Sequence, residues 1–143
     1  MAATENIAAL VPHQGRMCLL ERLLSWDAGS VVAASRSHRN VANPLRSGGR
    51  LSAVHLCEYG AQAMALHGGL LARASGGGPA DGLLVALRDV RLRVGRIDDL
   101  ADELVVSAHR LQATAAGMQY RFEVRHRDCL IAEGRVAAMT RPA

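Results

Sequence analysis

Aromatic residues are scarce in this sequence: its 143 residues include one Trp, one Phe and two Tyr. Half of the residues are nevertheless hydrophobic, so a core built from Leu, Val, Ala and Met is expected. A chain of this length and apolar content is expected to form a single globular domain over residues 1–143. No internal repeat or linker in the sequence divides it.

The sequence also lacks the features of several functional classes. No basic run is interleaved with aromatics, which makes nucleic acid a poor fit, and the net charge of +4 from scattered Arg favours an acidic partner only weakly. Three widely spaced cysteines, Cys18, Cys57 and Cys129, indicate neither a disulfide framework nor a zinc site, and no metal or cofactor is expected. The start lacks the basic region of a signal peptide and no apolar run is long enough to cross a bilayer, so a cytoplasmic location is expected.

The longest helix-like segment runs from Leu51 to Ala74. Ser52 can cap its N-terminus, Arg73 stands in the last turn, and the run Gly76–Pro79 ends it. Gly60 costs about 1 kcal/mol relative to Ala inside a helix, which predicts a packing or ligand reason for its presence.

One stripe of this helix carries polar side chains at positions i, i+3 and i+7: His55, Glu58 and Gln62. A Glu in an apolar helix is rarely buried unless it is paired or functional. Pairing with an Arg, or exposure on a surface stripe, is the structural alternative to a catalytic Glu58, and spacing alone does not decide between them. Cys57 points about 100° away and is expected to be a packed side chain rather than a nucleophile.

Segments on both sides of the helix have the features of β-strands. Before it, Met17–Trp26 and Ser30–His38 predict a hairpin around the turn Asp27–Gly29. After it, alternation of period two and turn residues predict a meander of about four strands: Asp89–Val94, Glu103–Leu111, Met118–Arg125 and Cys129–Thr140. An antiparallel sheet that covers one apolar helix is the economical packing, so the predicted fold class is α+β.

Three segments, in this order, carry a family resemblance: Val11-Pro12-His13 with Met17–Arg22, then Glu58–Gln62, then Asp89–Leu92 with Asp98-Asp99-Leu100. They are similar to the opening Pro-His and Leu-Leu-Asp-Arg segment, the central-helix Glu-x-x-Ala-Gln, and the later strand and Gly-Asp turn of the 3-hydroxyacyl-(acyl-carrier-protein) dehydratases. The chain resembles in particular the dehydratase-like proteins of aryl polyene biosynthesis. The resemblance implies a hotdog fold, in which a curled antiparallel sheet wraps a long central helix. It also implies a dimer with two helices side by side and active sites at the subunit boundary.

By this resemblance, Glu58 matches the catalytic acid and Gln62 the polar residue one turn further on. Dehydration needs an acid for the departing hydroxyl, a base for the proton beside the carbonyl, and donors for the thioester oxygen. A carboxyl group kept out of water on a helix of small apolar residues holds its proton closer to neutral pH, as the acid must. Backbone N–H groups from Gly48 to Ala53 are expected to face the thioester carbonyl, and Gly48, Gly49 and Gly60 are expected to leave room for an acyl or pantetheine chain.

The sequence departs from the family at the usual catalytic His, fourteen residues before the helix carboxylate. That position is Pro44, with Asn43 beside it. His13, His38, His55 and His67 are candidates to replace the base, from this subunit or its neighbour, although each taken alone is more often structural. The expected site therefore has two sets of residues. The catalytic set is Glu58, His13 and His38, and the substrate-binding set is Gln62, Gly48, Gly49, Asn43 and His67.

The function that the resemblance implies is dehydration of a 3-hydroxyacyl thioester on acyl carrier protein to the trans-2-enoyl thioester, in fatty-acid-like or aryl polyene biosynthesis. Two alternatives stay open: a non-catalytic hotdog subunit that pairs with an active dehydratase, and a hotdog acyl thioesterase. The expected partners are acyl carrier protein, with its phosphopantetheine-bound acyl chain, and a second hotdog subunit in a homodimer or heterodimer. The Arg-rich strand faces are expected to be solvated sheet surface, with carrier docking as the minority interpretation.

Overall fold

The computed structural model describes residues 7–11, 15–76, 84–115 and 117–139. They form one long helix and six strands, with short 3-10 turns between some of them. The helix and strands are α1 (Leu56–Ala74), β1 (Arg22–Trp26), β2 (Ser30–Ser35), β3 (Leu84–Leu92), β4 (Leu104–Thr114), β5 (Gly117–His126) and β6 (Cys129–Met139). Among the residues described, no helix is both long enough and apolar enough to cross a membrane.

All six strands belong to one antiparallel sheet with the order β1-β2-β4-β5-β6-β3. β4, β5 and β6 form a meander, but β3 pairs with β6 at the sheet edge, so the predicted four-strand meander is wrong at β3. The physical reason is that α1 lies between β2 and β3 in the chain and packs on the sheet, after which the chain re-enters the sheet at its opposite edge. The α+β class is as predicted.

The core lies between α1 and the sheet. On α1 the buried apolar residues recur every three or four positions, as an amphipathic helix requires: Leu56, Tyr59, Ala63, Leu66 and Leu70. On β5 the buried residues alternate with more exposed ones, which confirms the predicted period of two: Tyr120, Phe122 and Val124 are fully buried.

Gly60 allows α1 to approach the sheet closely. A Cβ atom at Gly60 would lie 2.4 Å from Cγ of the Phe122 ring, far inside the normal carbon–carbon contact distance. The same ring packs against Gly134 of β6, where a Cβ would lie 2.9 Å from it. The packing reason predicted for Gly60 is therefore confirmed, and the predicted room for an acyl or pantetheine chain at Gly60 is wrong, because the Phe122 ring fills that space.

The element ends differ from the predicted ones. Ser52 caps the helical segment as predicted, because its Oγ accepts a hydrogen bond from the Val54 N–H at 3.3 Å. A 3-10 turn, Ala53–His55, comes before α1 begins at Leu56. The first strand begins at Arg22 rather than Met17. Gly77–Pro79, Thr140 and the residues before Ile7, to which some predictions apply, lie outside the described residues.

Replacing Gly60 and Gly68 by Ala separates packing from helix propensity. Ala is favoured over Gly by about 1 kcal/mol inside a helix, and a Cβ at Gly68 would meet no atom within 4 Å. We expect Gly68→Ala to raise the free energy of unfolding by up to about 1 kcal/mol. Gly60→Ala should lower it by about 1–3 kcal/mol, because the Phe122 ring must move. Urea unfolding measures both values, and equal effects of the two variants would contradict the packing role.

Candidate active site

Glu58 lies in the first turn of α1 and is exposed, so the predicted desolvation of its carboxylate does not occur within one chain. The reason is its position on the helix, whose sheet side is taken by residues such as Tyr59 and Gly60. Within the described residues the carboxylate makes no hydrogen bond or ion pair, so the alternative of pairing with an Arg is not seen. Small, half-buried residues continue the same stripe: Ala61, Ala65 and Gly68.

Gln62 is fully buried and binds the segment that precedes β1. Its Oε1 accepts hydrogen bonds from the Leu19 N–H at 2.8 Å and the Leu20 N–H at 3.3 Å, and its Nε2 donates to the Met17 carbonyl. Both ends of the amide are thus used inside the chain. The geometry gives Gln62 a positioning role in place of the predicted contact with substrate.

Asn43, beside the position where the family has its catalytic His, holds a loop closed. Its Nδ2 donates to the Ser37 carbonyl at 2.9 Å, and its Oδ1 accepts from the Leu45 N–H at 2.9 Å. The buried Tyr59 hydroxyl completes the network, 2.7 Å from Ser37 Oγ and 3.5 Å from Asn43 Nδ2. Burial raises the pKa of Tyr59. Asn43 therefore anchors this loop to α1, and the network contains no group that could act as a base near neutral pH.

Of the two histidines predicted as catalytic, His13 lies outside the described residues. His38 is fully buried, and its Nε2 lies 2.9 Å from the Leu100 carbonyl. Because a carbonyl can only accept, Nε2 carries the proton, and Nδ1 is left buried with no partner among the residues described. Burial lowers the pKa of His38. This ring braces the loop that contains Leu100 from inside the protein.

His67 connects three elements within the core. Its Nε2 donates to the Asp27 carbonyl, in the turn between β1 and β2, at 2.8 Å. Its Nδ1 accepts from the Tyr120 hydroxyl of β5 at 2.5 Å, and burial raises the pKa of Tyr120 to about 12. Burial also lowers the pKa of His67. With both nitrogens engaged, His67 has a structural role rather than the predicted substrate contact.

Gly48 and Gly49 form an exposed two-residue turn between Ser47 and Arg50. Their φ angles of 58° and 76° are left-handed, which explains why glycine occupies both positions. A Cβ at either glycine would meet nothing within 4 Å, so there is open space here, as predicted. The role of these two residues in binding stays a prediction.

The backbone N–H groups that follow this turn are mostly used within the chain. The Leu51 N–H donates to Asp98 Oδ1 at 2.8 Å, and the Ala53 N–H donates to the Gly95 carbonyl at 3.0 Å. The Val54 N–H is taken by the Ser52 cap. The expectation that these groups face a thioester carbonyl is therefore wrong for Leu51 and Ala53, because they hold the segment before β4 against the start of the helical segment.

An open cleft of about 600 Å³ lies between these two segments. Its lining contains Leu45, Ser47, Arg50, Ser52, His55, Val94, Gly95, Arg96, Asp99 and Leu100. Asp98 braces one side, and its hydrogen bonds from Arg96 and the Leu51 N–H hold its pKa well below the usual range. The sequence did not predict that Arg50 and Arg96 line a cleft. The available signal was the Arg96-x-Asp98 spacing, which indicates only a local ion pair.

Comparisons with known proteins agree with the predicted fold. A family model described as ApeP-like, ApeP dehydratase, matches residues 5–143. The dehydratase heterocomplex ApeI:P from Xenorhabdus doucetiae matches with a TM-score of 0.86 and 19% identity, covering 95% of this chain and 91% of that chain. An HP0420 homologue from Helicobacter felis matches with a TM-score of 0.64 and 16% identity, covering 95% and 89% of the two chains.

A hypothetical thioesterase with coenzyme A from Streptococcus pneumoniae TIGR4 matches with a TM-score of 0.61 and 12% identity, covering 84% of each chain. No curated protein matches the sequence. At these identities the solved structures show the fold alone, and the predicted α+β hotdog fold is confirmed.

Removing the Gln62 amide tests its positioning role. Gln62→Leu leaves the Leu19 and Leu20 N–H groups and the Met17 carbonyl buried without partners, so we expect a loss of about 2–4 kcal/mol in the free energy of unfolding. Gln112→Leu, an exposed site on β4, is the matched control and should change stability by less than about 0.5 kcal/mol. Urea unfolding compares the two, and a small loss in Gln62→Leu would exclude this role.

The two buried histidines predict a pH dependence of stability. Burial lowers the pKa of His38 and His67 in the folded state, so below their ordinary value of about 6.5 the unfolded chain binds more protons. The contribution of these histidines to the free energy of unfolding should therefore be fully present above that pH and decline as pH falls from about 7 to 5. In urea unfolding across this range, the free energy of unfolding of His67→Gln should fall less steeply with decreasing pH than that of the wild type. His109→Gln, the control at an exposed site, should fall as steeply as the wild type.

Proposed function

Because the chain belongs to the ApeP-like dehydratase family, we propose that it acts in the dehydration of a 3-hydroxyacyl thioester, carried on acyl carrier protein, to the trans-2-enoyl thioester in aryl polyene biosynthesis. The observation that carries this proposal is the Glu58 carboxylate, which has no partner among the described residues in the first turn of α1. A carboxyl group in this position is free to reach a substrate or a second subunit.

A second hotdog subunit over this face of α1 is part of the proposal. Glu58 can hold a proton for the reaction only where water is kept away from it, which one chain alone does not achieve. The face suits close approach, since Ala61, Ala65 and Gly68 are small and Val54 is 52% exposed. The similar solved structure named ApeI:P is itself a dehydratase heterocomplex, which supports pairing with a different hotdog chain.

In the assembled site Glu58 donates a proton to the departing hydroxyl, while a base removes the proton from the carbon beside the thioester carbonyl. The carbon–oxygen bond breaks, a carbon–carbon double bond forms, and water leaves. The base comes from the second subunit in this proposal, because His38 and His67 are buried and bonded within the fold. His13, outside the described residues, and His55, which is half-buried in the lining of the cleft, are the alternative bases within this chain.

A non-catalytic subunit is the second candidate, and the Asn43 network favours it. The loop that carries the base in the family is closed here by Asn43, Ser37 and Tyr59. In this case the partner subunit carries the whole reaction, and this chain only helps to bind the acyl chain. The two candidates differ in whether Glu58 is needed for turnover.

Glu58→Gln removes the acid while keeping the size of the side chain. We expect turnover of a 3-hydroxyacyl-pantetheine thioester, measured with the partner subunit present, to fall by about 10²–10⁴-fold. Glu103→Gln is the matched control: it removes one negative charge from the surface pair with Arg22, and turnover should be unchanged.

Unchanged turnover in Glu58→Gln would remove the proposed role and favour the non-catalytic subunit. Full turnover by this chain in the absence of any other protein would contradict the need for a different hotdog chain as the second subunit. Release of the free acid in place of the enoyl product would identify a thioesterase, in which the carboxylate activates water.

A further inference from the structure

The cleft beside the start of the helical segment has both apolar and basic lining residues. Leu45, Val94 and Leu100 supply apolar side chains, whereas Arg50 and His55 supply basic ones. Its volume of about 600 Å³ is within the range of small-molecule sites and exceeds what a lone inorganic anion would fill. These dimensions suit an extended ligand that is partly apolar.

Arg50 is the cation that is free to bind such a ligand. Its guanidinium is exposed and makes no hydrogen bond or ion pair within the described residues. Arg96, another lining residue, is already engaged by Asp98 and lies 3.9 Å from Asp99. The side chain of His55 likewise makes no hydrogen bond or ion pair within the described residues and is half-buried in the lining.

The charge around the cleft favours an anion. Arg39 donates to the Asp98 carbonyl and Arg46 to the Gly49 carbonyl, next to residues that line the cleft, and within the described residues both donate only to backbone carbonyls, so no carboxylate there neutralises them. Together with Arg50 and Arg96 they outnumber Asp98 and Asp99, of which only Asp99 lines the cleft. A guanidinium binds phosphate oxygens through two parallel hydrogen bonds, so a phosphate is the anion that Arg50 fits best.

We propose that this cleft binds the phosphate end of a 4′-phosphopantetheine arm, with the phosphate on Arg50 and the arm passing Ser52 and His55 towards Glu58. The inference rests on the proposed function, in which the substrate is a pantetheine thioester. The direction follows from the helical segment, because His55 lines the cleft and Glu58 lies three residues further on the same stripe. Carrier-bound arms and coenzyme A share this phosphate chemistry.

Two other hollows fit the arm less well. One, of about 300 Å³ on the outer face of the sheet, has two of its three arginines beside carboxylates, with Arg121 3.7 Å from Glu133 and Arg135 3.8 Å from Asp89. The other, of about 260 Å³ at the ends of β4, β5 and β6, has no charged residue in its described lining. Neither contains a residue of α1, which carries Glu58.

Binding of free 4′-phosphopantetheine to the full-length chain tests the site without requiring catalysis. Calorimetry should show that Arg50→Ala weakens binding of 4′-phosphopantetheine by about tenfold and leaves binding of pantetheine, which lacks the phosphate, unchanged. Arg50→Lys should restore part of the loss, and high salt should reduce the difference between wild type and Arg50→Ala. Arg121→Ala, which makes the same change of charge on the outer sheet face, is the control and should change the binding affinity of neither ligand.

Turnover separates this inference from the proposed function. With the partner subunit present, Arg50→Ala should raise KM for both carrier-bound and coenzyme A substrates by about tenfold. It should not change KM for the N-acetylcysteamine thioester, which has no phosphate. An effect on the carrier-bound substrate alone would place Arg50 against the carrier protein and overturn the inference, as would equal loss of pantetheine and 4′-phosphopantetheine binding. Absence of all turnover would count against the proposed function, while the binding measurement would still decide whether the cleft binds the phosphate of 4′-phosphopantetheine.

Discussion

The contact between Gly60 and the Phe122 ring is the constraint on which the rest of the structure depends. Without a Cβ at this position, the backbone of α1 lies directly on β5, and the ring fills the space up to Gly134 of β6. At about 3.6 residues per turn, this contact and the other buried residues of the same face, such as Leu56 and Ala63, fix the rotation of the helix about its axis. Glu58 and Gln62 lie about 40° from each other on the side away from this contact. Gln62 is buried there because the segment before β1 covers it, whereas Glu58 stays exposed.

The polar side chains directed inward serve the fold because burial leaves them no alternative. A buried polar group without a partner costs about 1–3 kcal/mol, so each one is placed where the chain can bind it. Gln62 binds the segment before β1, and His67 joins the β1–β2 turn to β5. Asn43 does the same for the loop before the helical segment. Much of the polar character of the central helix is thus structural.

The groups directed outward are those left free for other molecules. The side chains of Glu58 and Arg50 make no hydrogen bond or ion pair within the described residues. His55 lies between them in the chain and lines the cleft. In the proposed function, an unpaired carboxylate and an unpaired guanidinium this near in sequence, with a half-apolar cleft beside them, form one side of a binding surface. The small residues that follow Glu58 on the same stripe leave room for the other side to be supplied by a second subunit.

Sequence alone determined the features that depend on local spacing. These are the Ser52 cap, the long apolar helix and the alternation of β5, together with a family resemblance distributed over most of the chain. Tertiary structure alone decided that β3 pairs with β6, and that Gln62 is buried while Glu58 is exposed. The physical reason is that Gln62 bonds to Leu19, 43 residues away, and periodicity along a helix does not reveal which of its polar side chains will find such a distant partner.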